Sequence, residues 1–156
     1  MTRYSPRRLG LFAEAALRLL RARAALTIRP FHKIVRGLGD FVPPEQDPVI
    51  EAQPQPADAE IARAVGRAIS SAARRLPFEF LCLPRALAAQ AMLRRRGIAT
   101  SLYLGVRREG ESVMEAHAWV DAAGIGVTGH PVPPQSRAMG RFVARPRMTA
   151  TVETGA

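Results

Sequence analysis

The sequence predicts an α+β fold, in which a helix that bears the only cysteine packs on a small antiparallel sheet and further helices precede it. Apolar residues recur at helical spacing in segments before residue 76, and a run of strong helix formers follows the cysteine. Short strand-like segments separated by glycine turns follow from residue 100. The chain of 156 residues is long enough for one domain that buries roughly two-thirds of its unfolded surface.

Residues 1–39 are predicted to form an N-terminal helical segment. An amphipathic helix is expected over 7–26, and a second, short helix over 31–38. Glu14 and Arg18 interrupt the first apolar run, which argues against a secretory signal, and no stretch approaches the roughly 20 apolar residues of a membrane span. The apolar face of the first helix is expected to pack on the domain or on a partner; the less favoured alternative is a basic helix on a membrane surface.

Residues 40–57 are predicted to form an extended or disordered linker. This stretch contains five prolines and several acidic residues, and no Lys or Arg occurs from residue 37 to residue 62. A segment of this composition is typical of a solvated tether, and the alternative is a loop that covers a functional site.

The core is predicted over residues 58–148, and residues 149–156 are expected to be a tail. Asp58 is expected to cap a helix that runs to about Arg75, and Pro84 is expected in the first turn of a helix that ends at Gly97. The expected strands are 100–107, 116–121 and 125–128, followed by a loop and an edge strand over 141–144.

Cys82 is a candidate nucleophile because it precedes the helix that begins near Pro84. Unpaired N–H groups and the positive end of the helix dipole favour a thiolate at such a position, and Arg85 adds to that field. His117 lies on a later strand and is a candidate base for the thiol. The alternative is that Cys82 is a small buried apolar residue without a catalytic role.

Neither a metal nor another cofactor is expected. The three histidines are scattered along the chain, and one cysteine cannot build a structural zinc site without carboxylate ligands. A single cysteine also excludes an intramolecular disulfide, which fits a reducing compartment and predicts a cytoplasmic protein.

Four short segments carry a resemblance to a known family: the run from Cys82 to Ala88, the helix exit from Leu93 to Ile98, the strand from Leu102 to Val106, and Ala116-His-Ala-Trp-Val120. They resemble the transglutaminase-like leader peptidases of lasso-peptide biosynthesis, in particular the standalone peptidase half of a split B protein. The similarity covers roughly residues 60–131. It implies a transglutaminase-like or papain-like core, with Cys82 as the nucleophile and His117 as the base of a cysteine peptidase.

The same resemblance implies the substrate and the partners. The enzyme would remove the leader from a ribosomally synthesised precursor peptide before macrolactam formation. A separate leader-recognition protein and an ATP-dependent lasso cyclase would act with it. A chain of this length has no obvious second module to read a leader, so the helix over 7–26 is expected to dock the recognition protein.

The third catalytic residue is left open by the sequence. The family commonly has an aspartate about twelve residues after the histidine, and Gly129 stands there. Asp121 shares a strand face with His117 but lies roughly 13 Å along the strand. The substitutes are His130, Thr128, Glu115 or a backbone carbonyl.

The length of the hairpin loop after Asp121 decides which residue lies opposite His117. A three-residue loop would place Gly129 there, and a two-residue loop would place His130 there. Trp119 and Arg85 are expected to contact the substrate.

A function of another class also fits the composition. The formal net charge is +10, although 22 of the 23 basic residues are arginine, a bias that genome composition can produce. The alternative is a non-catalytic basic module that binds nucleic acid or an anionic membrane on the same scaffold. Nucleic acid is not expected, because the basic residues are not interleaved with aromatic residues in the core.

Overall fold

The computed structural model describes residues 5–46, 55–110 and 113–146. These residues form the helices α1 (Pro6–Ile28), α2 (Phe31–Val35), α3 (Pro56–Arg75) and α4 (Cys82–Arg95), and the strands β1 (Asp40–Val42), β2 (Thr100–Glu109), β3 (Val113–Ala122), β4 (Ile125–Thr128) and β5 (Ser136–Ala144). Helix α4 packs on β2, β3 and β4, α3 packs on β4, and α1 packs on α3 and α4. The predicted α+β fold is therefore confirmed.

Helix α1 belongs to the same core as the rest of the domain. Ser5 caps its first turn by accepting a hydrogen bond from the backbone N–H of Arg8. Ala15, Leu19 and Ala22 recur at helical spacing and are buried. They join one apolar cluster with residues of α3, α4 and the sheet. Of the two expectations for this helix, internal packing is the one observed.

The predicted linker begins with a strand. Residues Asp40–Val42 form β1, which pairs with β5, and the ring of Phe41 packs on the ring of Phe142 with centroids 5.3 Å apart. Helix α3 begins at Pro56, two residues before the predicted cap, because proline fits the first helical position and Asp58 lies within the first turn. Residues 47–54 of the predicted linker and the predicted tail over 149–156 lie outside the described residues.

Helix α4 begins at Cys82 rather than at Pro84. Leu81 is the extended N-cap residue, so Pro84 is the third helical residue and still lies in the first turn, where proline is tolerated. The helix ends at Arg95, and the predicted glycine follows its C-cap residue: Gly97 has a φ of +72°, the left-handed conformation that glycine adopts most readily.

The sheet has the strand order β1-β5-β2-β3-β4, and every pairing is antiparallel. The predicted edge strand over 141–144 is longer and lies inside the sheet, because β1 pairs with its outer side. The β3–β4 hairpin turns on Ala123 and Gly124, which both have positive φ, as two-residue hairpin turns require. The register then shifts by one residue between Val120 and Asp121.

Alternation along β3 separates two sets of side chains. Ala118 and Val120 belong to the apolar cluster that the helices share. His117 and Trp119 point to the other face of the strand, where Trp119 stacks on its cross-strand partner Tyr103 with ring centroids 5.2 Å apart. Among the described residues, no helix has the length and apolarity needed to cross a membrane.

Candidate active site

Cys82 occupies the first position of α4, where backbone N–H groups lack partners within the helix. Leu81 has no side-chain acceptor and cannot cap this end. The thiol is half-buried and packs against the apolar core cluster. Since an uncapped helix N-terminus favours negative charge, the site suits a thiolate or the oxyanion of a tetrahedral intermediate.

The segment that leads into Cys82 is held by two arginines. Arg85 Nε donates a hydrogen bond of 2.8 Å to the carbonyl oxygen of Phe80, whose ring is buried. Arg23 donates one of 3.0 Å to the carbonyl oxygen of Glu79 and lies over the ring of Phe78. Arg85 therefore orients the approach to the helix, and its expected contact with substrate stays a prediction. Sequence reasoning missed Arg23, since nothing in the local pattern links α1 to this segment.

The imidazole of His117 is oriented by a backbone group. Its Nε2 donates a hydrogen bond of 2.8 Å to the carbonyl oxygen of Gly129. A carbonyl only accepts, so this bond assigns the proton to Nε2 and leaves Nδ1 unprotonated in the neutral ring. The ring also stacks on Trp119, with centroids 5.7 Å apart. Of the five groups considered from the sequence, the backbone carbonyl is the one that contacts Nε2.

Gly129 can play this role because it has no side chain. Its φ is +76°, which L side chains rarely adopt. An added Cβ would overlap with the carbonyl oxygen of Ala118 and lie 2.7 Å from the Cβ of Trp119. The leader peptidases that this sequence resembles commonly have an aspartate at this position, whereas this backbone accepts only glycine there.

Asp121 lies beside the other histidine of this hairpin. Its Oδ1 accepts a hydrogen bond of 2.7 Å from Nε2 of His130, whose ring lies over Gly126. Because a bulge follows the two-residue turn, Gly129 rather than Asp121 or His130 reaches the ring of His117.

The two remaining substitutes are also placed elsewhere. Glu115 is exposed and forms an ion pair with Arg107, its partner across the β2–β3 ladder. Thr128 is buried opposite Val120, and its hydroxyl finds no hydrogen-bond partner among the described residues. Trp119 is 8% exposed between Tyr103 and His117, so its expected contact with substrate stays a prediction.

Cys82 and His117 are not hydrogen bonded to each other; the hydrogen bonds within residues 5–46, 55–110 and 113–146 include none between them. A thiol at a helix N-terminus and a neutral imidazole are the two groups that thiol–imidazole chemistry would need. The helix end supplies N–H groups beside the thiol, and the carbonyl of Gly129 sets the tautomer of the imidazole. Within the same residues, no group of three or more His, Cys, Asp or Glu side chains could hold a metal ion.

A family model described as the transglutaminase-like superfamily matches residues 16–142. The matched range runs from α1 into β5 and includes Cys82, His117 and Gly129. No curated protein and no solved structure gives a significant match to this chain.

Proposed function

Because this chain belongs to the transglutaminase-like superfamily, whose members are typically cysteine peptidases or transferases, we propose that it removes the leader from a ribosomally synthesised lasso-peptide precursor. Two observations support the proposal: Cys82 lies at an uncapped helix N-terminus, and the Nε2 bond of His117 leaves its Nδ1 unprotonated. The four segments that resemble the lasso-peptide leader peptidases support this substrate over a generic peptide.

The reaction is hydrolysis through an acyl-enzyme. Nδ1 of His117 takes the proton of the Cys82 thiol, and the thiolate attacks the carbonyl carbon of the last leader residue. Free N–H groups in the first turn of α4 stabilise the oxyanion. His117 then gives its proton to the amine of the departing core peptide, and a water molecule hydrolyses the thioester and releases the leader.

This mechanism requires Nδ1 of His117 to come within hydrogen-bond reach of the Cys82 sulfur. Catalytic hydrogen bonds are often long before substrate binds and tighten in the Michaelis complex. The bond from Nε2 to Gly129 leaves Nδ1 unprotonated, but His117 points to the face of β3 opposite Ala118 and Val120, which belong to the apolar cluster on which Cys82 packs. We therefore propose that precursor binding also moves the His117 side chain or its strand segment, so that Nδ1 comes within reach of the sulfur.

Mass spectrometry of a lasso precursor, incubated with the protein and a leader-recognition protein, tests the activity. We expect Cys82→Ala and His117→Ala each to slow leader release by about a hundredfold or more, the range that a nucleophile or a general base supplies. His32→Ala is the matched control, since His32 is an exposed histidine on α2. Release at the wild-type rate by both site variants would refute the assignment.

The partners of this reaction are part of the same proposal. A recognition protein that binds the leader would raise the effective concentration of the precursor at the peptidase, and the lasso cyclase would then use the freed core peptide. Cleavage assayed with and without the recognition protein tests the first claim. Equal and efficient cleavage by the peptidase alone would contradict it.

A non-catalytic basic module is the second candidate. The carbonyl that replaces a carboxylate at His117, together with the missing Cys82–His117 bond, favours it. In that case neither the wild-type protein nor any variant would cleave the precursor above background. Random-sequence DNA or anionic vesicles would instead bind to the protein at physiological salt. Binding that disappears well below that salt would reflect nonspecific charge and would count against this candidate.

A further inference from the structure

Two grooves run along helix α3, away from Cys82 and His117. The first lies between α1 and α3 and has a volume of about 570 Å³. The second lies between α3 and β4 and has a volume of about 530 Å³. Arg67 and Ser71 line both, so the two grooves are neighbours on one surface. We call this surface the α3 face.

The sequence of α3 explains why this face is open. Its buried stripe contains Ala62, Val65 and Ile69. The next stripe around the helix is Ala64, Ala68, Ser71 and Arg75, and the one after it is Arg63, Arg67, Ser70 and Arg74. The first of these two stripes lines the groove beside α1, and the second lines the groove beside β4. The α3 face therefore changes from apolar to basic across one helix.

The floor of the first groove is apolar. Helix α1 contributes Leu9, Leu11 and Phe12, and α3 contributes Ala64 and Ala68. Leu9 is 61% exposed although it stands beside two partly buried apolar neighbours. A partner that covers this exposed leucine would stabilise the complex, because burial removes apolar surface from water. The groove therefore suits apolar side chains.

The rim of both grooves is strongly positive. Five different arginines line them, and the described lining residues include no Asp or Glu: Arg8, Arg63, Arg67, Arg74 and Arg75. Arg63, Arg67 and Arg74 take part in no ion pair within the described part of the chain. Carboxylates are natural partners for such a row, because guanidinium groups bind them in a two-pronged geometry.

From these observations, we infer that the α3 face is a docking site for an acidic peptide segment that also carries apolar side chains. Leucine or phenylalanine side chains of that segment would enter the α1–α3 groove, and its carboxylates would meet the arginines of α3. Nucleic acid fits less well, because its phosphates would contact the arginines but leave the apolar floor exposed. A base would also find the Phe12 ring covered, since the guanidinium of Arg75 lies over it, 5.4 Å from its centroid. The inference does not rest on catalysis by Cys82, and the site is separate from that residue.

Fluorescence anisotropy of a labelled short peptide, with Leu and Phe at helical spacing and Glu at the other positions, tests the inference. Two comparison peptides carry Lys in place of Glu, or Ser in place of Leu and Phe. We expect only the first peptide to bind, because the site needs both kinds of contact. Equal binding of either comparison peptide would overturn the inference.

Matched variants locate the binding on the molecule. Arg67→Glu should lower the affinity for the peptide about tenfold or more, because it places a like charge against the carboxylates. Arg21→Glu makes the same change at an exposed position of α1 outside the grooves and should lower the affinity by less than about twofold. Leu9→Ser should weaken binding more than Leu17→Ser, which alters an exposed leucine elsewhere on α1. Circular dichroism establishes that all four variants fold.

Equal losses for Arg67→Glu and Arg21→Glu would show that overall charge, rather than the α3 face, holds the peptide, and would refute the site. Tighter binding of random-sequence DNA or of anionic vesicles, weakened by Arg67→Glu to the same degree as the peptide, would also refute the assigned partner. Because these measurements use no cleavage, they can be made on the Cys82→Ala protein, and failure of the peptidase proposal would leave their outcome unchanged.

Discussion

Nε2 of His117 is held by a backbone carbonyl, at the position where the leader peptidases that this sequence resembles commonly have an aspartate. A carbonyl dipole fixes the tautomer and the orientation of the ring as a carboxylate does. It carries no full charge, however, and therefore stabilises an imidazolium less than a carboxylate would. Any charge separation between Cys82 and His117 depends more heavily on the N–H groups at the start of α4.

Gly129→Ala should lower both the free energy of unfolding and the rate of cleavage. Comparison with Gly97→Ala separates the cost of backbone strain from the cost of steric overlap. Both positions have φ above +70°, but nothing lies within 4 Å of a Cβ at Gly97. Gly97→Ala should therefore cost only backbone strain, about 1–2 kcal/mol. Gly129→Ala should cost about 1–3 kcal/mol more through overlap with Ala118, and should slow cleavage by moving the carbonyl from His117. Denaturant unfolding and cleavage assays measure the two effects; equal costs would show that the close packing around Gly129 contributes nothing.

Asp121→Asn distinguishes the two histidines. The carboxylate of Asp121 contacts His130, so Asp121→Asn leaves His117 and its Nε2 bond in place. The variant should therefore keep the rate of leader cleavage within about threefold of wild type. The measurement is the single-turnover rate of the variant beside that of His117→Ala. A loss as large as that of His117→Ala would return the orienting role to Asp121.

Helix α1 is attached to α4 by an ion pair as well as by apolar contacts. Glu14 accepts a hydrogen bond of 2.6 Å from Arg96, and Arg95 lies 3.7 Å away. The hydrogen bond from Arg96 and the positive charges of Arg96, Arg95 and Arg18 lower the pKa of Glu14 from its ordinary value, against an opposing effect of burial. The carboxylate is therefore more stable in the folded protein than in the unfolded chain.

This pair should make stability depend on pH. A lowered pKa in the folded state contributes stability that is present above the unfolded pKa and is lost as the pH falls through the folded pKa. Glu14→Gln should therefore reduce the free energy of unfolding at about pH 7, and its difference from wild type should shrink in acid, below about pH 4. Urea titrations at about pH 7 and below about pH 4 measure the difference in the free energy of unfolding. Glu45→Gln, at an exposed position, is the control. A difference that persists in acid would show that packing rather than charge is responsible.

The elements that the sequence predicts best are those with a strong local pattern. Apolar residues at helical spacing predict α1 and α3 to within a few residues, and a run of helix formers closed by a glycine predicts α4 equally well. The order of the outer strands was not predictable, because β1 is three residues long and lies in a proline-rich acidic stretch. Its strand conformation comes from pairing with β5, which is a tertiary effect that overrides local composition.

In the candidate site, too, local sequence patterns predict some features, whereas others depend on tertiary structure. Helix formers after Cys82 and glycine turns around the strand of His117 predict the elements on which these two candidate residues lie. The partner of His117 was not predictable, because it depends on the bulge between Val120 and Asp121. The hairpin has the two-residue loop, one of the two that the sequence allows, but a bulge after it changes which residue lies near His117.

At the scale of the whole molecule, the N-terminal helix is a structural part of the domain rather than an appendage. Leu19 is fully buried in the shared core, whereas Leu17 is 49% exposed on the same helix. Leu19→Ala should lower the free energy of unfolding by about 2–5 kcal/mol, and Leu17→Ala should change it by less than about 1 kcal/mol. Denaturant unfolding of the two variants measures the difference. Similar small effects would mean that α1 can detach without loss of the core.

The pairing of Phe41 with Phe142 has a consequence for biosynthesis. Strand β5 must emerge from the ribosome before β1 can find its partner, and pairings between segments so distant in the chain form slowly. Until then the side of β2 that faces β5 is an open edge, which is the kind of surface that recruits strands from other chains. A nascent chain that stalls before residue 136 would therefore display an aggregation-prone edge, and chaperone capture during translation would protect this protein most at that stage.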